Sequence, residues 1–178
     1  MNIPNILTMV RILLVPVFVI LLMDGSFFYA LVVFVVAGVT DGLDGFMARI
    51  LNQRTVLGSY LDPLADKALI ITSFVALSIL GIVPGWIAVI VISRDCVILL
   101  GVSVLFLMSV SFEIRPAYVS KATTVLQLLT IFLVLASTFL PEYINTGIVE
   151  TSFWITALFT IVSGFIYIFR GVKFINNS

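Results

Sequence analysis

The chain has 178 residues, 62% of them hydrophobic and only 10% charged, with nine cations balancing nine anions. At a mean hydropathy of +1.29, the composition excludes a soluble globular domain, and a net charge of zero argues against a nucleic-acid partner, which needs a basic surface. Apolar runs long enough for a hydrocarbon core of about 30 Å recur along the whole length. The expectation is an all-α integral membrane protein with six transmembrane helices, forming a single membrane domain over residues 1–178.

In chain order, Asn2-Ile3-Pro4-Asn5 reads as an interfacial lead-in with Asn5 as N-cap. The first span, Ile6 to Met23, contains Arg11 and Pro16 and lacks both a basic n-region and a small-residue cleavage pattern, so it reads as a retained helix rather than a signal peptide. After Asp24-Gly25-Ser26 come spans from Phe27 to Ile50, Leu61 to Leu80, Trp86 to Met108, Tyr118 to Leu140 and Ile148 to Phe169. They are separated by turn-forming or polar stretches at Asn52 to Gly58, Gly81 to Gly85, Ser109 to Pro116 and Pro141 to Gly147. Cys96 is the only cysteine, so no intrachain disulfide forms.

If six helices alternate, Arg49, Arg54, Arg115, Lys121, Arg170 and Lys173 share one side, and the opposite loops hold only Asp24, Glu142 and Glu150. The positive-inside rule then places both termini on the cytoplasmic face of a multi-pass protein. A mildly basic cytoplasmic surface suits anionic membrane lipids.

The charge distribution singles out one stretch, Asp41-x-x-Asp44-Gly45-x-x-Ala48-Arg49, eight residues, then Gly58-x-x-x-Asp62-x-x-x-Asp66. Asp41 and Asp44 are three apart and Asp62 and Asp66 four apart, so on helices each pair projects from one face. The first pair falls late in the second span and the other early in the third, which places four carboxylates at one depth on the cytoplasmic side. Carboxylates at a bilayer need something positive to hold them. With no histidine in the chain, an all-oxygen donor set selects a hard cation such as Mg2+, Mn2+ or Ca2+. One or two such ions would leave coordination positions for phosphate oxygens, as in phosphoryl-transfer sites.

Gly42, Gly45, Ala48 and Gly58 carry two readings, close helix packing or room for a nucleotide lying on the backbone. Arg49 either snorkels to the interface, pairs with an aspartate or holds a phosphate. The Phe residues, Trp86 and Trp154 read as lipid-facing and interfacial anchors. Intramembrane carboxylates also mark ion pathways, so a cation transporter is the rival reading. That rival expects acids spread through several spans to the far side, and here they cluster at one depth.

The stretch from Asp41 to Asp66 resembles the signature of the CDP-alcohol phosphatidyltransferase family, with all eight signature positions matching in type and spacing. The resemblance implies transfer of a phosphatidyl group from CDP-diacylglycerol to an alcohol with release of CMP, assisted by two Mg2+ or Mn2+ ions. It further implies Asp41, Asp44, Asp62 and Asp66 as metal ligands, Asp66 as the base for the acceptor hydroxyl, and Gly45, Ala48, Arg49 and Gly58 as the cytidine and phosphate pocket. It also suggests a homodimer.

The acceptor is a glycerol-type alcohol with two candidates. Asn2 to Thr8, Arg11 and Pro16 resemble both the phosphatidylglycerophosphate synthase and the CDP-alcohol-type cardiolipin synthase branches, and Ser163-Gly164, Tyr167 and Gly171 resemble the former. Ile92-Ser93-Arg94-Asp95 and Pro116 to Gln127 resemble the cardiolipin branch. Relatives using glycerol-3-phosphate usually read Arg-Glu at Arg94-Asp95 and tend to place a second arginine where this chain has Val102. A small dianionic acceptor wants fixed cations, so phosphatidylglycerol is the leading acceptor and glycerol-3-phosphate the alternative. Arg94 and Lys121 are the candidate acceptor-side residues. Lys67, Arg11 and Arg115 are further cations available to phosphate from the same end.

Overall fold

The structure is a computed structural model; it describes the backbone of residues 3–50, 56–107 and 118–176 and the side chains of residues 7–40, 65–101 and 118–171. Among the described residues every element is helical: α1 (Ile3–Met23), α2 (Phe27–Ile50), α3 (Val56–Ile79), α4 (Gly85–Leu107), α5 (Tyr118–Phe139) and α6 (Thr146–Asn176). These follow the six expected apolar runs, with three differences at the ends. Since α1 begins at Ile3, Asn5 lies within the helix and is no N-cap. Gly58 belongs to α3 rather than to the connection before it. α6 continues past Phe169 to Asn176. These three helices overrun their apolar runs because backbone hydrogen bonding stops only at a breaker, not where the side chains turn polar.

Two of the turns share one device. Gly25 and Gly81 both adopt φ of 72°, the left-handed conformation that a glycine reaches without steric penalty. In the first, the amides of Gly25 and Ser26 donate back to Leu22 and Leu21 at 3.1 and 2.9 Å; in the other, Gly81 and Ile82 donate to Ser78 and Leu77 at 3.0 Å each. Both are Schellman caps, which satisfy the last carbonyls and reverse the chain within a few residues.

α1 packs along α2 and α3, α6 packs along α4 and α5, and α2–α5 and α3–α4 contacts join the two groups. The common core holds Phe18 and Leu22 of α1, Phe34 of α2, Phe74 and Leu77 of α3, Ile87 of α4 and Ile131 and Leu135 of α5. Aromatic pairs close the end that carries the tight turns: Phe28 meets Phe139 with ring centroids 5.6 Å apart, and Trp86 meets Trp154 at 5.0 Å.

The outer faces are apolar as well. Leu13, Val39, Ile79, Leu100, Leu129 and Phe165, from six different helices, are all exposed, a surface far more apolar than water tolerates over such an area. Among the described residues two helices are long and apolar enough to cross a membrane, α5 over Tyr118–Phe139 and α6 over Thr146–Gly171; Leu7–Met23 and Phe27–Thr40 are shorter apolar stretches.

Between α5 and α6 the core turns polar without being charged. Thr130 Oγ1 lies 2.7 Å from Thr156 Oγ1, Gln127 Nε2 donates to Thr160 Oγ1 at 3.3 Å, and Thr123 Oγ1 donates to the carbonyls of Val119 at 2.8 Å and Phe159 at 3.2 Å. Helical spacing puts these groups on facing ridges, a ladder that fixes the register of α5 on α6.

Candidate active site

The ladder ends at a charged layer assembled by five helices. Arg11 of α1 is fully buried, and its Nη1 donates to Oδ1 of Asp66 on α3 at 2.5 Å. A guanidinium at that depth requires an anion, and Asp66 provides it. The Asp66 side chain keeps 38% of its surface exposed, so the carboxylate is anchored from inside the bundle yet reachable from outside it.

Lys67 follows Asp66, and one residue is about 100° of helix rotation. Its ammonium therefore faces away from α1, and it lies 3.2 Å from Oδ1 of Asp95 on α4. The same oxygen accepts from Arg94 Nη1 at 2.7 Å. Arg94 Nη2 donates to Ser120 Oγ of α5 at 2.6 Å and Ser163 Oγ of α6 at 2.9 Å, and its guanidinium carbon stands 5.9 Å from the centroid of the Tyr167 ring. Four neighbours on three helices hold this arginine. Gly164 lies against its stem: a Cβ there would stand in ordinary van der Waals contact, 3.6 Å from Arg94 Cγ.

Oδ1 of Asp95 thus serves two buried cations, and the cluster of Lys67, Asp95 and Arg94 carries one surplus positive charge. Two of its donors, Lys67 Nζ and Arg94 Nε, are buried without a hydrogen-bond acceptor. At Lys67 the ion pair has the distance of a hydrogen bond but not its angle.

The other expected site residues are placed by their helices. Asp41, Asp44, Gly45, Ala48 and Arg49 belong to the last turns of α2, and Gly58 and Asp62 to the first turns of α3; their side chains lie outside the described residues, as do Arg115 and Val102. Of the four aspartates only Asp66 has a described side chain, and among the described residues no three metal-ligating side chains come together. Lys121, next to Ser120 on α5, is exposed. Arg94 is buried and held, as a charge inside an apolar bundle must be.

Arg94 and Asp95 are neighbours in the chain, whereas the other attachments of Arg94 join residues far apart in it. The signal for them is present: Ser120, Thr123, Gln127 and Thr130 recur at helical spacing along α5, and Thr156, Thr160 and Ser163 do so along α6. Nothing in the spacing joins Arg11 to Asp66, which are 55 residues apart.

Residues 1–162 match the CDP-alcohol phosphatidyltransferase family. The chain belongs to that family. It is 36% identical to the human cardiolipin synthase (CMP-forming) over 97% of its own length and 62% of that protein's. It is 33% identical to a probable phosphatidylglycerophosphate synthase of Mycobacterium tuberculosis, over 97% of this chain and 82% of the relative. With the CDP-diacylglycerol–glycerol-3-phosphate 3-phosphatidyltransferase of Bacillus subtilis it shares 30% identity over 93% of each. The chain spans about three-fifths of the length of the human relative, at 62%. The CDP-alcohol phosphatidyltransferase family is membrane-associated and generally depends on divalent metal, which agrees with the apolar outer surface and with carboxylates as its signature residues.

Proposed function

We propose that the protein transfers a phosphatidyl group from CDP-diacylglycerol to the hydroxyl of a glycerol-type alcohol and releases CMP, as a step in phospholipid synthesis. The observation that carries this reading is Asp66, the last residue of the family signature, buried on one side against Arg11 and open on the other. A carboxylate so held accepts a proton from an incoming hydroxyl without leaving its place. The acceptor oxygen then bonds to the phosphatidyl phosphorus, and the bond from that phosphorus to CMP breaks, with CMP leaving.

The donor set fits a hard divalent cation: four aspartates on helical backbone at the end of α2 and the start of α3, with no histidine in the chain. Asp41, Asp44, Asp62 and Asp66 would hold two Mg2+ or Mn2+ ions, whose chemistry is to neutralise the diphosphate. Gly45, Ala48, Arg49 and Gly58 would seat the nucleotide. The helices form a six-span bundle over the whole chain, with Asp66 and both termini at the cytoplasmic face, as the arginine and lysine asymmetry of the loops supports.

Phosphatidylglycerol is the preferred acceptor, which would make the protein a cardiolipin synthase. The Arg94-Asp95 pair and Val102 support it. Glycerol-3-phosphate is the second reading, favoured by the names of the bacterial relatives. Family membership favours the transferase over the cation transporter. The test is CMP release by purified protein from CDP-diacylglycerol, with phosphatidylglycerol or glycerol-3-phosphate, with and without Mg2+ or Mn2+. Release is expected with phosphatidylglycerol and metal; product from glycerol-3-phosphate alone reverses the acceptor, and no release with either alcohol ends the enzyme reading.

A further inference from the structure

Asp66 and Lys67 are consecutive on α3 and tied to opposite partners, Asp66 to the α1 cation Arg11 and Lys67 to the α4 anion Asp95. Arg94 is fixed by Asp95, Ser120 and Ser163, so it anchors Asp95, and Asp95 in turn reaches Lys67. Arg94 and Asp95 keep 7% and 3% of their surface. Lys67 differs in kind. Its side chain is 28% exposed, yet its ammonium is buried with three donors and no well-formed hydrogen bond. Asp95, shared with Arg94, meets this ammonium without a well-aligned hydrogen bond, so a second anion would complete it, and the carboxylate of Asp66 is one residue away.

We propose that Lys67 holds the phosphate of the acceptor alcohol and that Asp95 is the positioning residue that aims it, with Arg94 as the fixed post behind Asp95. The inference rests on the phosphatidyl-transfer reading above and adds the acceptor contact to it. Both candidate acceptors carry a phosphate, a monoanionic diester in phosphatidylglycerol and a dianion in glycerol-3-phosphate. A contact one residue from Asp66 brings the acceptor's hydroxyl end toward the carboxylate that takes its proton. Among the described residues the cluster of Lys67, Asp95 and Arg94 carries a single surplus positive charge, which suits a monoanion better than a dianion and so favours the phosphodiester.

The experiment measures CMP release from CDP-diacylglycerol in mixed micelles, titrating phosphatidylglycerol and, separately, glycerol-3-phosphate, for wild type, Lys67→Gln, Lys67→Arg, Asp95→Asn and the double variant. Loss of a charge-assisted hydrogen bond predicts an acceptor KM raised about tenfold or more in Lys67→Gln. The KM for CDP-diacylglycerol stays the same, and Lys67→Arg recovers most of the loss. Asp95→Asn gives a smaller rise, and adding it to Lys67→Gln costs nothing more, because Asp95 acts through Lys67. If Asp95→Asn does not elute as a single folded species, Lys67→Gln and Lys67→Arg decide. An unchanged acceptor KM in Lys67→Gln, or equal rises in both KM values, overturns the inference while an active wild type upholds the transfer reading. A wild type that releases no CMP with either alcohol overturns both.

Discussion

Two buried polar regions lie end to end in this bundle and are built on opposite principles. The α5/α6 ladder is neutral, and its hydroxyls and amide find partners on the facing helix or one turn back. The layer above it is charged, shares one carboxylate oxygen between two cations, and retains buried donors without acceptors. Complete satisfaction is what a structural network needs; incomplete satisfaction is tolerated where a ligand supplies the rest. On the proposed reading the contrast separates residues that hold helices together from residues that serve the substrate, although both kinds are buried and polar.

Substitutions at Asp66 break the contrast hardest. Asp66→Asn keeps an oxygen for Arg11 but removes the proton acceptor, so turnover should fall by about 10²–10⁴-fold while CDP-diacylglycerol still binds, as a nucleotide-binding titration would show. Loss of that binding would mark Asp66 chiefly as a metal ligand. Next in size is Arg11→Met, which leaves Asp66 without its internal anchor. Removing one partner of a fully buried pair costs about 3–5 kcal/mol, and because water reaches the freed carboxylate, about 2 kcal/mol is expected here, read as a lower unfolding temperature in detergent together with reduced turnover. An unaltered unfolding temperature would show that the pair contributes nothing to holding α1 on α3.

The smallest effect belongs to the ladder. Thr130→Val removes one interhelical hydrogen bond and should lower stability by about 0.6 kcal/mol, leaving both KM values where they were. The paired Thr130→Val/Thr156→Val change should be milder than the sum, because no hydroxyl loses its partner across the helix interface. A shift of acceptor KM in either ladder variant would erase the distinction between the two regions.

The helices themselves were legible because their apolar runs are bounded by Asp24-Gly25-Ser26, Gly81 to Gly85 and Pro141 to Gly147, whose turn chemistry is local. Asn5 and Gly58 were misplaced because a helix start depends on backbone hydrogen bonds that polar residues make as well as apolar ones. The signature aspartates stood out as a charge anomaly with helical spacing, a local property too. The Arg11–Asp66 and Lys67–Asp95 pairs were not legible, since a cation can be assigned its anion only once the packing of α1, α3 and α4 is known. Lys121 looked equivalent to Arg94 as a cation of the same half of the chain, but their burial separates them: Lys121 is exposed and Arg94 enclosed.

The grip on Arg94 extends into the last helix. Ser163, Gly164 and Tyr167, which lie against its side chain, all belong to α6. Exchanging the segment from Ser163 onward between relatives with different acceptors would therefore alter the setting of Arg94 without altering an aspartate of the signature. A change of acceptor in such a chimera would show that this choice can be transplanted with the end of one helix.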